Sequence, residues 1–280
     1  MPRMDGADER HDTDERHDAD GTVQDRAAAD APLGLVVARY AEDVSWLAAL
    51  DLPGVVYNKG AALTPSPPVA TMENASMANG VANAVVNATL PPGFAQVCLP
   101  NIGREAHTFL THIIANYNAL PRHTAFLQGD PFAHLTPPEE PRLTAAELRG
   151  RLLALAAQDK PFAGLAWFRL RCDGLGRPHD LADPAKKGRW KGWGRDIPVA
   201  ETYAALFGAP APRAFIARAP TGNMLVRRER ILARPLAFYR RALELILADP
   251  DDARNTGHAF ERLWQAIFSG AGRVARPRGI

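Results

Sequence analysis

The sequence predicts an α/β protein built on an open, doubly wound, mostly parallel sheet. Three observations carry that prediction. Leu33–Gly60 reads as a short strand–helix–strand unit. A second unit runs from an amphipathic helix after Arg104 into a short apolar strand ending at Gln128-Gly129-Asp130. Polar side chains gather just beyond each strand end, where open α/β sheets bind ligands.

The elements follow in order. Leu33-Gly34-Leu35-Val36-Val37-Ala38-Arg39-Tyr40 reads as a strand buried on both faces. Ala41-Glu42-Asp43 is expected to open a helix through Leu50, Asp51–Gly54 to turn, and Val55–Gly60 to form a second strand. Such a short connection implies parallel pairing by a right-handed crossover. Residues 61–95 are rich in Ala, Asn and Pro without periodicity and are read as an insertion or mobile loop. Ala106, Phe109, Leu110, Ile113, Ile114 and Tyr117 then fall on one face of a helix reaching toward Leu120. That spacing sets His107 and His112 on the polar face. Thr124–Gln128 reads as a buried strand delivering Asp130 to the sheet's C-terminal edge.

The second half is less regular. Thr144-Ala145-Ala146-Glu147 is a capping box opening a helix that carries Leu148, Leu152 and Leu155. Phe162–Arg171 is expected to form one strand containing Trp167, followed by a basic aromatic loop over 178–196. Ala214–Ala217 and Met224–Val226 read as strands around a Thr221-Gly222-Asn223 turn. Pro235 starts a helix, and a last helix from about Gly257 buries Phe260, Leu263, Trp264, Ile267 and Phe268. No boundary divides the chain after residue 30, so 31–272 is read as one domain and 273–280 as a basic tail.

Composition bounds the function. The chain has 280 residues, 46% hydrophobic and 23% charged, as soluble globular proteins do. Its two cysteines, Cys98 and Cys172, cannot make a disulfide framework and suit a cytoplasmic protein. No apolar run is long enough to span a membrane. Residues 1–30 hold ten acids against four arginines and almost no large apolar side chain, so this acidic tail is expected to be disordered. The remainder carries a surplus of positive charge that suits an anionic ligand such as a nucleotide diphosphate. It is too dispersed for DNA, and no nucleic-acid partner is expected.

The polar motifs sharpen this. Asn101, Gly103 and Arg104 precede the helix, where free N–H groups and a cation favour an anion. Arginine at a helix start opposes the dipole, which points to an anionic partner. Arg39, Tyr40, Glu42, Lys59 and Gln128 stand at strand ends as further substrate contacts. In the loop, Trp190 and Trp193 suit stacking on a sugar face or closing over a diphosphate, with Arg195 beside them.

These strings resemble domain-of-unknown-function family 3431. The likeness lies in Val36–Asp43, Tyr57–Gly60, Leu99–Glu105 and Phe126–His134, and continues through Gly192–Asp196, Arg228–Ile231 and Gly257–Trp264. It covers about residues 33–270 and implies no activity. The order of elements is also similar to nucleotide-sugar glycosyltransferases of the A-type fold. In those enzymes a first strand ends at the nucleotide, and a later strand ends in an Asp-x-Asp metal motif. Gln128-Gly129-Asp130 stands in that place with one carboxylate. The resemblance implies a glycosyltransferase-like enzyme moving a sugar from a nucleotide-diphosphate donor to a glycan or small acceptor. Asp130 would bind Mg²⁺ or Mn²⁺ with His134 or His258, or Arg104, Lys59 and Arg39 would neutralise the diphosphate without metal. Glu261 or Asp196 would deprotonate the acceptor, Glu261 being equally readable as a structural partner of Arg195 or Arg228. The rival class is a non-catalytic nucleotide- or glycan-binding protein that kept the fold; a phosphate-ester hydrolase would need more clustered metal ligands.

Overall fold

The structure, a computed structural model, describes residues 31–65, 89–177 and 197–268. The acidic tail over 1–30, the basic tail over 273–280, and Trp190, Trp193, Arg195 and Asp196 of the aromatic loop lie outside the described residues.

The chain opens on β1 (Leu33–Arg39) and returns through a short 3₁₀ helix (Ser45–Leu50) as β2 (Gly54–Asn58). Two-residue strands β3 (Thr64–Pro65) and β4 (Thr89–Leu90) pair with each other, and β5 (Phe94–Cys98) follows. Then come α1 (Arg104–Ala115), β6 (His123–Gln128), α2 (Ala145–Ala157), β7 (Phe162–Gly164) and β8 (Leu170–Asp173). The last third holds α3 (Val199–Phe207), β9 (Ala214–Ala217), β10 (Met224–Arg227), α4 (Arg228–Leu232), α5 (Leu236–Leu247) and α6 (Ala253–Phe268).

Six strands make the central sheet in the order β5-β2-β1-β6-β10-β7. The first four are mutually parallel, and β10 runs antiparallel to both its neighbours. Alternation along β1 supplies both faces. Val36 and Ala38 join Phe126, Met224 and Val226 beneath α1, α5 and α6. Leu33, Leu35 and Val37 join Ala125, Leu127 and Leu225 beneath α2 and the 3₁₀ helix. A strand buried on both faces is apolar at most positions, which is why β1 reads as a continuous run and β6 carries Ala125, Phe126 and Leu127 at its centre.

This layering positions the site. The connection from β1 to β2 lies on the α2 face, whereas β5 returns to β6 through α1 on the other face. The ends of β1 and β6 therefore part at the sheet's topological switch point.

Several expectations need correction. Residues 61–95 are not wholly loop: β5 is an edge strand in parallel register with β2, from Gly54 opposite Phe94 to Asn58 opposite Cys98. The helix after β1 is 3₁₀ and begins later, because Glu42 and Asp43 spend their carboxylates on the turn. Glu42 Oε2 accepts the Tyr40 and Ala41 N–H groups at 2.6 and 3.1 Å, and Asp43 Oδ1 accepts that of Ser45 at 2.9 Å. The strand expected over 162–171 is two strands in different sheets, with Trp167 in the loop between them and β8 paired to β9. His107 and His112 are buried: His112 packs edge-on against Tyr57 and Phe126 of the sheet, so the buried face of α1 is wider than its apolar stripe. The capping box is present: Glu147 N–H donates to Thr144 Oγ1 at 3.2 Å, and Thr144 N–H to Glu147 Oε2 at 2.7 Å. No helix among the described residues is long and apolar enough to cross a membrane.

Candidate functional site

A cleft of about 710 Å³ opens at the switch point. Arg39, Tyr40 and Glu42 line it at and beyond the end of β1, Lys59 beyond β2, and Gln128, Asp130 and His134 at and beyond the end of β6. Asn101 through Glu105 form the wall at the start of α1, and Asp251 and Arg254 the wall at the start of α6.

The start of α1 has an unusual backbone. Gly103 and Arg104 both take left-handed φ, 62° and 52°. Gly103 at the N-cap has no side chain, and among the described residues no side-chain cap bond reaches the first-turn N–H groups. A Cβ on Gly103 would stand 2.2 Å from Ile246 Cγ2, and one on Gly257 would stand 2.6 Å from the Gly103 carbonyl oxygen. Glycine at both places lets α5 and α6 close against the turn. From β2, Lys59 Nζ donates to the Ile102 carbonyl at 2.7 Å and to the Arg104 carbonyl.

A polar chain crosses the cleft floor. Asn223, fully buried beside β10, accepts the Gln128 N–H at 2.9 Å and donates to Gln128 Oε1 at 3.3 Å. Gln128 Nε2 donates to Glu105 Oε1 at 2.7 Å. Glu105 Oε2 lies 3.4 Å from Arg104 Nε, which donates to Glu261 Oε1 at 3.0 Å. Glu261 Oε2 is 3.2 Å from His258 Nδ1. The two Nη amines of Arg104 make no hydrogen bond among the described residues.

Electrostatics follow from burial. Desolvation draws Lys59 down to about 8, with Glu105 opposing and Arg104 assisting. Burial works against the charge on Arg104, but Glu105 and Glu261 outweigh it and hold that guanidinium above its ordinary range. Desolvation, reinforced by Lys59, pushes His107 down to about 4.

Several expected roles change with the geometry. Arg39 is buried and committed to the protein: it donates to the Glu42 carbonyl at 2.9 Å, Asn58 Oδ1 at 2.7 Å and the Ala61 carbonyl at 2.9 Å. It braces the ends of β1 and β2. Glu261 does not line the cleft; it lies behind Arg104 and holds it. Asp130 and His134 line the cleft, but His258 faces Glu261. Asp130 Oδ1 accepts the Phe132 N–H at 3.2 Å, and Oδ2 lies 3.8 Å from Arg142. Among the described residues no three His, Cys, Asp or Glu side chains gather as a metal site; Asp130 and His134 share the cleft, and His258 does not line it. Sequence reasoning missed Arg254, Asp251 and Asn223. The first two precede the apolar stripe of α6, and Asn223 sits in a string read only as a turn.

Residues 35–278 match the model of a family described as "Protein of unknown function (DUF3431)". No curated protein and no solved structure matches the chain.

Proposed function

The chain belongs to that family, DUF3431, and from this premise we propose that it is a glycosyltransferase-like enzyme whose cleft binds the diphosphate of a nucleotide sugar. One observation carries the reading: Lys59, Arg104 and the uncapped start of α1 meet the ends of β1 and β6 in a single cleft. The neighbouring ends of β1 and β6 support the A-type resemblance, in which the first strand and the metal-motif strand both end at the donor. The cations here supply what a metal would otherwise supply at the diphosphate.

The acceptor oxygen attacks the anomeric carbon as the bond from that carbon to the diphosphate breaks. Arg104 and the α1 N–H groups stabilise the charge arriving on the leaving phosphate. The acceptor proton passes to Asp130 Oδ2, a carboxylate exposed in the cleft. Gln128, oriented by Asn223 and Glu105, contacts the donor.

The engagement of Glu261 with Arg104 favours a second reading, a nucleotide- or glycan-binding protein without turnover. Thermal shift with UDP-glucose, GDP-mannose and ADP-glucose, with and without Mn²⁺, tests both. A ligand at about 100 times its Kd adds about 2.7 kcal/mol of stability. Stabilisation followed by transfer or donor hydrolysis supports the enzyme, and stabilisation with no turnover supports the binding protein. A folded protein that responds to none of the three loses the enzyme reading and the nucleotide-binding one.

A further inference from the structure

We propose that Lys59 is the positioning residue of this cleft: its ammonium ties the Ile102 and Arg104 carbonyls to β2 and thereby sets Arg104 and the first turn of α1 for an anionic diphosphate. The inference rests on the donor-binding reading above and adds the residue that builds its anion-binding wall.

The geometry carries it. Two consecutive left-handed residues, one of them an arginine, persist only where the surroundings impose them. Ile246 and Gly257 press on Gly103 by packing, and Lys59 acts by directed bonds on either side of it. In a planar trans peptide the C=O and N–H point in opposite directions. Fixing the carbonyls of Ile102 and Arg104 therefore fixes the directions of the Gly103 and Glu105 N–H groups. A neutral amine keeps hydrogen-bonding capacity but loses the charge-assisted bond and the cation beside the cleft.

That cation is held close to its titration. Burial draws Lys59 to about 8, so a bound diphosphate, which favours the ammonium, takes up a proton above that pH. The groups around it are Arg104, Glu105 and His107 from α1, Arg39 and Glu42 after β1, and Asp251 and Arg254 at α6. His107, pushed down to about 4, is neutral throughout. The thiol of Cys98, whose register partner Asn58 precedes Lys59, is removed in the test by a Cys98→Ser background.

The test is titration calorimetry with UDP-glucose, GDP-mannose and ADP-glucose at pH 7, 8 and 9. The parent affinity is expected to fall about tenfold from pH 7 to 9, as one linked proton demands. Lys59→Arg, charged throughout, is expected to bind with a flat profile, and Lys59→Met to bind weakly at every pH. Folding stability of the parent should move oppositely: with its folded value near 8 below the unfolded 10.5, Lys59 makes the protein more stable as pH rises through that window. A flat parent profile overturns the positioning role, as does parent-like affinity in folded Lys59→Met. If none of the three sugars binds the folded parent at pH 7, the donor-site reading itself fails, and this inference with it.

Discussion

Arg104 serves two neighbours at once, which makes its replacement informative. Its Nε holds Glu261, a carboxylate with a side chain only 10% exposed, while its Nη amines are available to the cleft. Arg104→Ala should therefore weaken nucleotide-sugar binding about 10- to 100-fold, and strand Glu261 at a cost of about 1–3 kcal/mol in a urea melt. Glu261→Gln keeps an oxygen for Nε, so its binding loss should be only a few-fold; a loss as large as that of Arg104→Ala would put Glu261 in contact with ligand. Asp130→Asn separates the turn from the chemistry, because an amide oxygen still accepts the Phe132 N–H. It should leave melting temperature and donor affinity unchanged while removing transfer. Asn223 is different in kind: Asn223→Ala leaves the Gln128 N–H without its acceptor at a half-buried strand end. The expected cost is about 1–3 kcal/mol, or roughly 2–4 °C of melting temperature for each kcal/mol in a domain of this size.

At the scale of elements, the tightest test is the seam between α1 and α5. Gly103→Ala drives a methyl to 2.2 Å from Ile246 Cγ2 at a φ of 62°, so both space and backbone oppose it. It should destabilise the fold and displace the helix start, abolishing donor binding. Adding Ile246→Ala relieves the clash but empties part of the core, where Ile246 is fully buried, at about 2–5 kcal/mol on its own. Measured in the Ile246→Ala background, Gly103→Ala should then cost only about 1 kcal/mol, the share of the left-handed backbone. The same element shows what a sequence can disclose. The apolar stripe of α1, the run of β1 and the strand ending at Gln128 were legible because burial on a fixed face leaves a period. β5 was not, because an edge strand with exposed Ala95, Val97 and Cys98 leaves none. His107 and His112 were misplaced because a period assigns polar types outward, whereas His112 packs on Tyr57 and Phe126 of the sheet. The cleft followed from strand ends and a switch point, whereas the partner of Glu261 did not. Helical spacing gives the direction of a side chain, and only the packing of α6 against α1 makes Arg104 its neighbour.

Over the whole molecule, these buried groups give stability an unequal pH dependence. His107 and His112 are each held down to about 4 by desolvation, against an unfolded value of 6.5. The unfolded chain therefore binds more protons between those limits, and stability must fall as pH drops from about 6.5 toward 4. Each histidine can contribute on the order of 2–3 kcal/mol across that window. Asp43, Asp159 and Asp173 are held below their ordinary 3.8 by bonds to Ser45, Arg227 and Arg177 respectively, so their contribution is lost at still lower pH. The two classes separate on one axis. Melting temperature should decline from pH 6.5 downward, before the carboxylates begin to protonate. His112 Nδ1 lies 3.1 Å from the Tyr57 hydroxyl, whereas His107 Nδ1 is buried with no hydrogen-bond partner among the described residues. His107→Leu should thus remove its share of the slope between pH 6.5 and 4 with less loss of stability at pH 7.5 than His112→Leu. Melting curves of both variants and the parent across that range decide it, and an unchanged slope in His107→Leu would remove this histidine from the acid-sensitive set.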